Sequence, residues 1–281
     1  MKLKYKKIGF VVKPHRDVKD YLERSIDLVK KFGAEIVLEK IASEMAGISG
    51  GVERNDVAGL TDLIVLIGGD GTFLSIAESA VINNVPIAGF NLGTLGFLTE
   101  LKKENLDKEM KDLLEGRLLL SERKLIRTDF NSKSFLSLND VVISKGDIAR
   151  IIKFDIDING DRVTTLRADG LIISTPTGST AYSLSAGGPI LDPNVNGLVV
   201  TPICPHSLTL RPFVISDSSV VKVTLDRGIE NVFITIDGQT VIPIEGGDYF
   251  IARTFEKKLK MIISKDLNYF TLLSEKLNWG I

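Results

Sequence analysis

Residues 63–72 read Leu63-Ile64-Val65-Leu66-Ile67-Gly68-Gly69-Asp70-Gly71-Thr72. The first five are apolar without alternation, the pattern of a strand covered on both faces, as in a parallel sheet flanked by helices. Glycines then break the run. Gly68, Gly69 and Gly71 tolerate φ > 0 and carry no Cβ, so a ligand oxygen can approach main-chain N–H groups, and Thr72 stands where it can cap a following helix. The spacing predicts that helix over Phe73 to Ile82 and a further strand over Val85 to Phe90. This βαβ unit crosses over right-handed, and its glycine turn lies at the carboxyl end of a parallel strand, where open α/β sheets bind ligands.

Working outward, Ile8 to Val12 reads as a first strand and Tyr21 to Phe32 as a helix with its apolar stripe at Leu22, Ile26, Val29 and Phe32. Gly33 falls where a helix C-cap belongs, Ala34 to Leu38 reads as the next strand, and a charged helix from Asn105 to Glu115 closes at Gly116. Residues 1–120 are therefore expected to form an α/β domain with a parallel, Rossmann-like sheet. From Arg123 the period changes to two: Ile152, Phe154, Ile156 and Ile158 alternate with polar residues up to the turn Asn159-Gly160, and Phe233 to Ile242 repeats the pattern around Asp237-Gly238. Strands at Val199 to Ile203, Phe213 to Ile215 and Val220 to Leu225 make residues 121–262 a mainly β, sandwich-like domain. Leu267 to Trp279 returns to helical spacing, and residues 263–281 are expected to pack back on the N-terminal domain.

Composition narrows the function. Hydrophobic residues make up 44% and charged residues 25%, as in ordinary globular chains, and the net charge of -1 provides no field to hold a nucleic acid. Cys204 is the sole cysteine, which excludes an internal disulfide framework and a multi-cysteine zinc site and fits a reducing cytoplasm. Apolar runs stay far short of the ~20 residues needed to cross a bilayer. The start MKLKYKKIGFVVKPH reads as a strand rather than a signal peptide, because its apolar stretch ends at Lys13-Pro14.

The glycine turn is neither common nucleotide motif. No lysine follows it as a P-loop requires, and Leu74 takes the place of the last glycine of G-x-G-x-x-G. An aspartate beside a phosphate is tolerable when a divalent cation bridges the two or when the carboxylate faces a hydroxyl that must lose its proton. Both arrangements belong to phosphoryl transfer. The structural alternative is a tight turn in which Asp70 serves only as an N-cap. Alone, the turn resembles the GGDGT signature of a broad kinase superfamily that includes NAD, diacylglycerol and sphingosine kinases.

Three further segments bear on the choice. Ser174 to Gly188, STPTGSTAYSLSAGG, carries seven Ser or Thr, Tyr182 and three glycines with no charge, a set able to bind diphosphate and ribose, with a ring on which a base can stack. Arg167-Ala168-Asp169-Gly170 supplies a fork donor and a carboxylate just upstream, equally readable as a salt-bridged strand start. Asn139-Asp140 interrupts an apolar strand from Phe135 to Ile143, either to present polar groups to a ligand or to mark a bulge.

In order, Gly68 to Thr72, Asn139-Asp140, Thr175 to Pro189, Pro205 to Pro212 (PHSLTLRP) and Asp237-Gly238-Gln239 resemble the motif series of the NAD kinase family. The resemblance implies a two-domain enzyme that phosphorylates the 2'-hydroxyl of the adenosine ribose of NAD with ATP or another phosphate donor, giving NADP, with Mg2+ or Mn2+. It implies Asp70 as the base and Gly71 against the dinucleotide. Asn139 and Asp140 would contact NAD, Arg150, Arg167 and Asp169 would line the site, Thr180, Ala181, Tyr182, Ser183, Leu184 and Ser185 would wall it, and Gln239 would close it. It also implies a homodimer or homotetramer with parts of the site shared between subunits. Many members carry basic residues in the first turns after GGDGT, where this chain has Ser75 and Glu78. The rivals are a lipid kinase, which needs an apolar acceptor cleft and membrane association, and a non-catalytic NAD sensor.

Overall fold

The computed structural model describes residues 3–15, 17–93, 96–146, 151–207, 209–265 and 268–279. Arg150, Leu208 and Leu267, used in the sequence reading, lie outside them. The chain divides into two units, Met1–Glu122 with Leu259–Ile281, and Arg123–Lys258.

The first unit runs β1 (Lys7–Val12), α1 (Val18–Lys31), β2 (Glu35–Leu38), α2 (Lys40–Ala46), β3 (Leu63–Ile67), α3 (Asp70–Ile82), β4 (Ile87–Asn91), β5 (Leu101–Lys102), α4 (Leu106–Leu114) and β6 (Leu119–Arg123). β3 pairs parallel with β1 and with β4, and every one of its residues is buried. Leu63, Val65 and Ile67 join a core with Leu22, Ile26 and Val29 of α1 and Leu113 of α4. Ile64 and Leu66, which point to the other face, are buried as well, so the strand is covered on both sides as its unbroken apolar run requires. Gly33 and Gly116 end their helices in the left-handed conformation; Gly33 N–H donates to Lys30 O and Ala34 N–H to Val29 O. α3 starts at Asp70 rather than Phe73. Gly69 is its extended N-cap, Asp70 complements the positive end of the helix from its first turn, and Thr72 sits inside the turn instead of capping it.

The second unit holds β7 (Ile126–Phe130), β8 (Lys133–Ser137), β9 (Asp140–Lys145), β10 (Ile152–Ile158), β11 (Asp161–Ala168), β12 (Gly170–Ser174), a 3-10 turn at Thr177–Thr180, α5 (Tyr182–Ser185), β13 (Gly197–Ile203), β14 (Phe213–Ser216), β15 (Val220–Leu225), β16 (Val232–Ile236), β17 (Thr240–Ile244) and β18 (Tyr249–Thr254). They form two six-stranded antiparallel sheets, ordered β11-β10-β15-β18-β7-β8 and β14-β13-β12-β9-β16-β17. Phe154, Val223 and Phe250 of one share a core with Ile143, Ile173 and Ile234 of the other, as in a sandwich. Asn159-Gly160 and Asp237-Gly238 both take left-handed φ, as type I' hairpins demand. The segment 135–143 is not one interrupted strand: β8 belongs to the first sheet and β9 to the second, and Leu138-Asn139 carries the chain between them.

The chain then returns to the first unit. β19 (Leu259–Ile263) pairs parallel with β4, between β4 and β6, although the expected division left most of it with the β-rich part. α6 (Tyr269–Leu277) follows, capped by the Asn268 side chain accepting from Thr271 N–H at 2.8 Å. No helix of the described residues is long and apolar enough to cross a membrane.

Candidate active site

In the first unit the carboxyl ends of β1, β3 and β4 open on a cleft of about 480 Å³ lined by Lys13, His15, Gly68, Gly69, Asn91 and Gly93. None of the three glycines of the 68–71 turn takes positive φ. A side chain on Gly68 would meet Thr72 Oγ1 at 2.9 Å, so this glycine serves close packing, whereas Gly69 and Gly71 face open space.

Asp70 is half-buried, and its carboxylate is held by the loop after β4. Its Oδ2 accepts the Phe97 N–H at 2.9 Å, and its Oδ1 accepts the Leu98 N–H at 3.1 Å and the Thr99 hydroxyl at 3.2 Å. Asn91 Nδ2 donates in turn to Thr99 Oγ1 at 2.8 Å. A Cβ on Gly96 would lie 2.7 Å from the Asp70 Cγ, so loop and carboxylate fit without slack. The sequence reading missed this loop. Its signal was the pair Gly93 and Gly96, following a second buried parallel strand whose end lies beside the Gly68 turn.

Ser75, in the first turns of α3, accepts from Arg54 Nη1 at 2.8 Å. The same guanidinium grips the buried Glu39 carboxylate at 2.6 and 3.1 Å and the Val12 carbonyl at 3.1 Å. Glu39 also accepts the Val12 N–H at 2.6 Å. A cation thus does reach the first turns of α3, delivered by another segment and committed to bracing.

In the second unit Asn139, Asp140, Val142, Ser144, Ala181, Tyr182, Thr235, Asp237 and Gly238 line a cleft of about 340 Å³. Asp237 holds its floor: Oδ2 accepts the Leu138 N–H at 2.7 Å and Oδ1 the N–H groups of Asn139 and Asp140 at 2.8 and 3.0 Å. From the other side Thr175 Oγ1 donates to Leu138 O at 2.6 Å, and Gly178 lies so close to Asn139 that a Cβ would come within 2.6 Å of its Cα. Asp140 is 4% exposed; burial, reinforced by the neighbouring Asp237 charge, pushes its carboxyl up to about 7. Tyr182 leaves about half its surface (47%) to solvent, a ring free to stack.

Of the expected site residues, the structure therefore gathers Asn139, Asp140, Ala181 and Tyr182 in one cleft. Ser183 is buried and bonds Thr201 Oγ1 at 2.8 Å, and Thr180 Oγ1 donates to Thr177 O at 3.3 Å, so these hydroxyls support the wall from within. Leu184 is half-buried and Ser185 exposed beside them. Arg167, Asp169 and Gln239 are exposed and do not line that cleft. Arg150 lies outside the described residues. His206 is tied to the Arg167 carbonyl through its backbone N–H at 2.9 Å.

Comparison with known proteins agrees with this division. Residues 8–118 match the ATP-NAD kinase N-terminal domain and residues 138–264 the ATP-NAD kinase C-terminal domain. An NAD kinase of Syntrophotalea carbinolica is 40% identical over 98% of this chain and 99% of its own length. Among solved structures, yeast NADH kinase complexed with NADH has the same fold (TM-score 0.88, 24% identity, 98% of this chain and 88% of that one). An NAD kinase from Archaeoglobus fulgidus in complex with ATP superimposes with a TM-score of 0.79 at 25% identity, over 95% of this chain and 98% of that one. Both domain matches and full-length identity place the chain in one family: it belongs to the NAD kinases.

Proposed function

We infer that this chain transfers the γ-phosphoryl group of ATP to the 2'-hydroxyl of the adenosine ribose of NAD, giving NADP and ADP. The observation that carries the reading is the turn Gly68 to Thr72 with its aspartate, in a chain 40% identical over nearly its whole length to a named NAD kinase. In the transfer the ribose oxygen bonds to the γ-phosphorus, the bond from that phosphorus to the bridging oxygen breaks, and its electron pair leaves with ADP. Asp70 takes the hydroxyl proton as the new bond forms. Positioning and charge neutralisation supply most of the acceleration in such reactions.

NAD is held in this reading by Asn139 and Asp140 from the strand crossing and by the Tyr182 ring with Ala181 beside it, and Gly71 is assigned as a contact by family resemblance. Arg167, Asp169, Leu184, Ser185 and Gln239 are assigned as further contacts by family resemblance, and Thr180 and Ser183 as the supports of the wall. The described residues contain no group of three His, Cys, Asp or Glu able to hold a metal ion. In this reading Mg2+ or Mn2+ enters on the triphosphate, whose oxygens suit it, and belongs to the donor substrate. The reading extends to a cytoplasmic homodimer or homotetramer. Incubation of the purified chain with NAD, ATP and Mg2+, read out with an NADP-specific dehydrogenase, tests it. NADP formation is expected, and its absence with every phosphate donor refutes the reading.

A further inference from the structure

We propose that Thr99, locked by Asn91, is a positioning residue that aims the Asp70 carboxylate and leaves one lone pair of Oδ2 open for the acceptor hydroxyl. This rests on the reading of Asp70 as the base.

The direction of each hydrogen bond in the chain is fixed by chemistry. The Gly93 backbone N–H can only donate, and it lies 2.7 Å from Asn91 Oδ1. The amide end that remains, Nδ2, therefore faces Thr99 Oγ1, which must accept from it. A threonine hydroxyl has a single hydrogen. With its oxygen engaged by Asn91, that hydrogen turns to Asp70 Oδ1. The Leu98 N–H fills the other lone pair of Oδ1, and the Phe97 N–H takes one of the two on Oδ2. Three of the four acceptor directions of the carboxylate are filled, and the open one is on Oδ2.

The carboxylate is thus pinned at both oxygens and cannot spin about its Cβ–Cγ bond. Thr99 is fully buried and Asn91 9% exposed, so solvent does not stand in for either. Phe97 packs its ring 6.4 Å from that of Tyr269 on α6, which holds the loop from its far side. A hydroxyl-free side chain at 99 removes the third contact on the carboxylate, the one a side chain supplies, and leaves it hinged on the two main-chain donors alone.

The test compares the wild type with Thr99→Val, Thr99→Ser, Asp70→Asn and the double variant Asp70→Asn/Thr99→Val, measuring kcat, KM for NAD and NAD affinity by calorimetry. Misaiming a catalytic group by about 1 Å costs up to ~10²-fold, so Thr99→Val is expected to lower kcat about 10- to 100-fold with NAD affinity unchanged. Thr99→Ser restores most of it, and in the Asp70→Asn background Thr99→Val adds nothing, because it acts only through Asp70. If Thr99→Val folds poorly, Asn91→Ala, which frees the Thr99 hydroxyl to rotate, carries the same expectation. A near-normal kcat in the folded Thr99 or Asn91 variant, a loss that appears in KM alone, or a loss that multiplies with that of Asp70→Asn overturns the proposal while the base reading stands. A fully active Asp70→Asn enzyme is a separate result that removes the base reading and this inference with it.

Discussion

Asp140 and Asp70 show two ways of keeping a carboxylate at a site. Asp70 is held by two main-chain donors and a hydroxyl. Asp140 has no hydrogen-bond donor to its carboxyl among the described residues and sits buried beside a second carboxylate. Folding therefore takes up a proton at Asp140 between the ordinary aspartate range and about pH 7. The stability contributed by this group is full at acid pH and is lost as the pH climbs through that window, by at most about 4 kcal/mol at ~1.4 kcal/mol per pH unit. Asp140→Asn mimics the protonated form at every pH, so its stability relative to the wild type should rise between pH 4.5 and pH 8 in urea melts. A difference that stays constant across that range contradicts the account. The sequence singles out both residues, one through the glycines around it and the other as a polar residue in an apolar run, and the structure places Asp140 at the start of β9. The part played by Asp237 was not legible there, because its three bonds reach main-chain groups 97 to 99 residues away and a hairpin signal explains Asp-Gly fully by itself.

At the scale of elements, the strand Leu63–Ile67 was readable to its ends because both faces are buried and glycine terminates it. The start of α3 was not, since a glycine N-cap leaves no side-chain signature and Asp70 was read as part of the turn. Nor was the passage from β8 to β9 visible, because two short strands in different sheets leave one continuous apolar pattern when the crossing is only Leu138-Asn139. The brace from Arg54 to Glu39 and Ser75 joins the 3-10 turn Arg54–Asp56 to the end of β1 and to α3. Glu39 is 3% exposed at its side chain, so Arg54→Leu strands a buried carboxylate. Removal of one partner from such a pair costs about 3 kcal/mol, and chemical denaturation should show a loss of that order. Unchanged stability would mean that the pair does not brace α3.

At the scale of the whole molecule, the change from mixed to two-residue periodicity near Arg123 separates an α/β unit from a β-rich one, and the contacts divide the chain at the same place. What local reading does not convey is that Leu259–Ile263 goes back to pair with Ile87–Asn91, since a parallel partner distant in sequence leaves no local mark. The family motifs fall in both units, the Gly68 to Thr72 turn in the first and Asn139-Asp140, Ser174 to Gly188 and Asp237-Gly238-Gln239 in the second. The chemistry attributed to them rests on Asp70. Turnover of Asp70→Asn with NAD, ATP and Mg2+, measured beside its NAD affinity, tests that claim most directly. Loss of a general base costs ~10²-fold or more, so kcat should fall at least that far while NAD still binds. Wild-type turnover in that variant would contradict it.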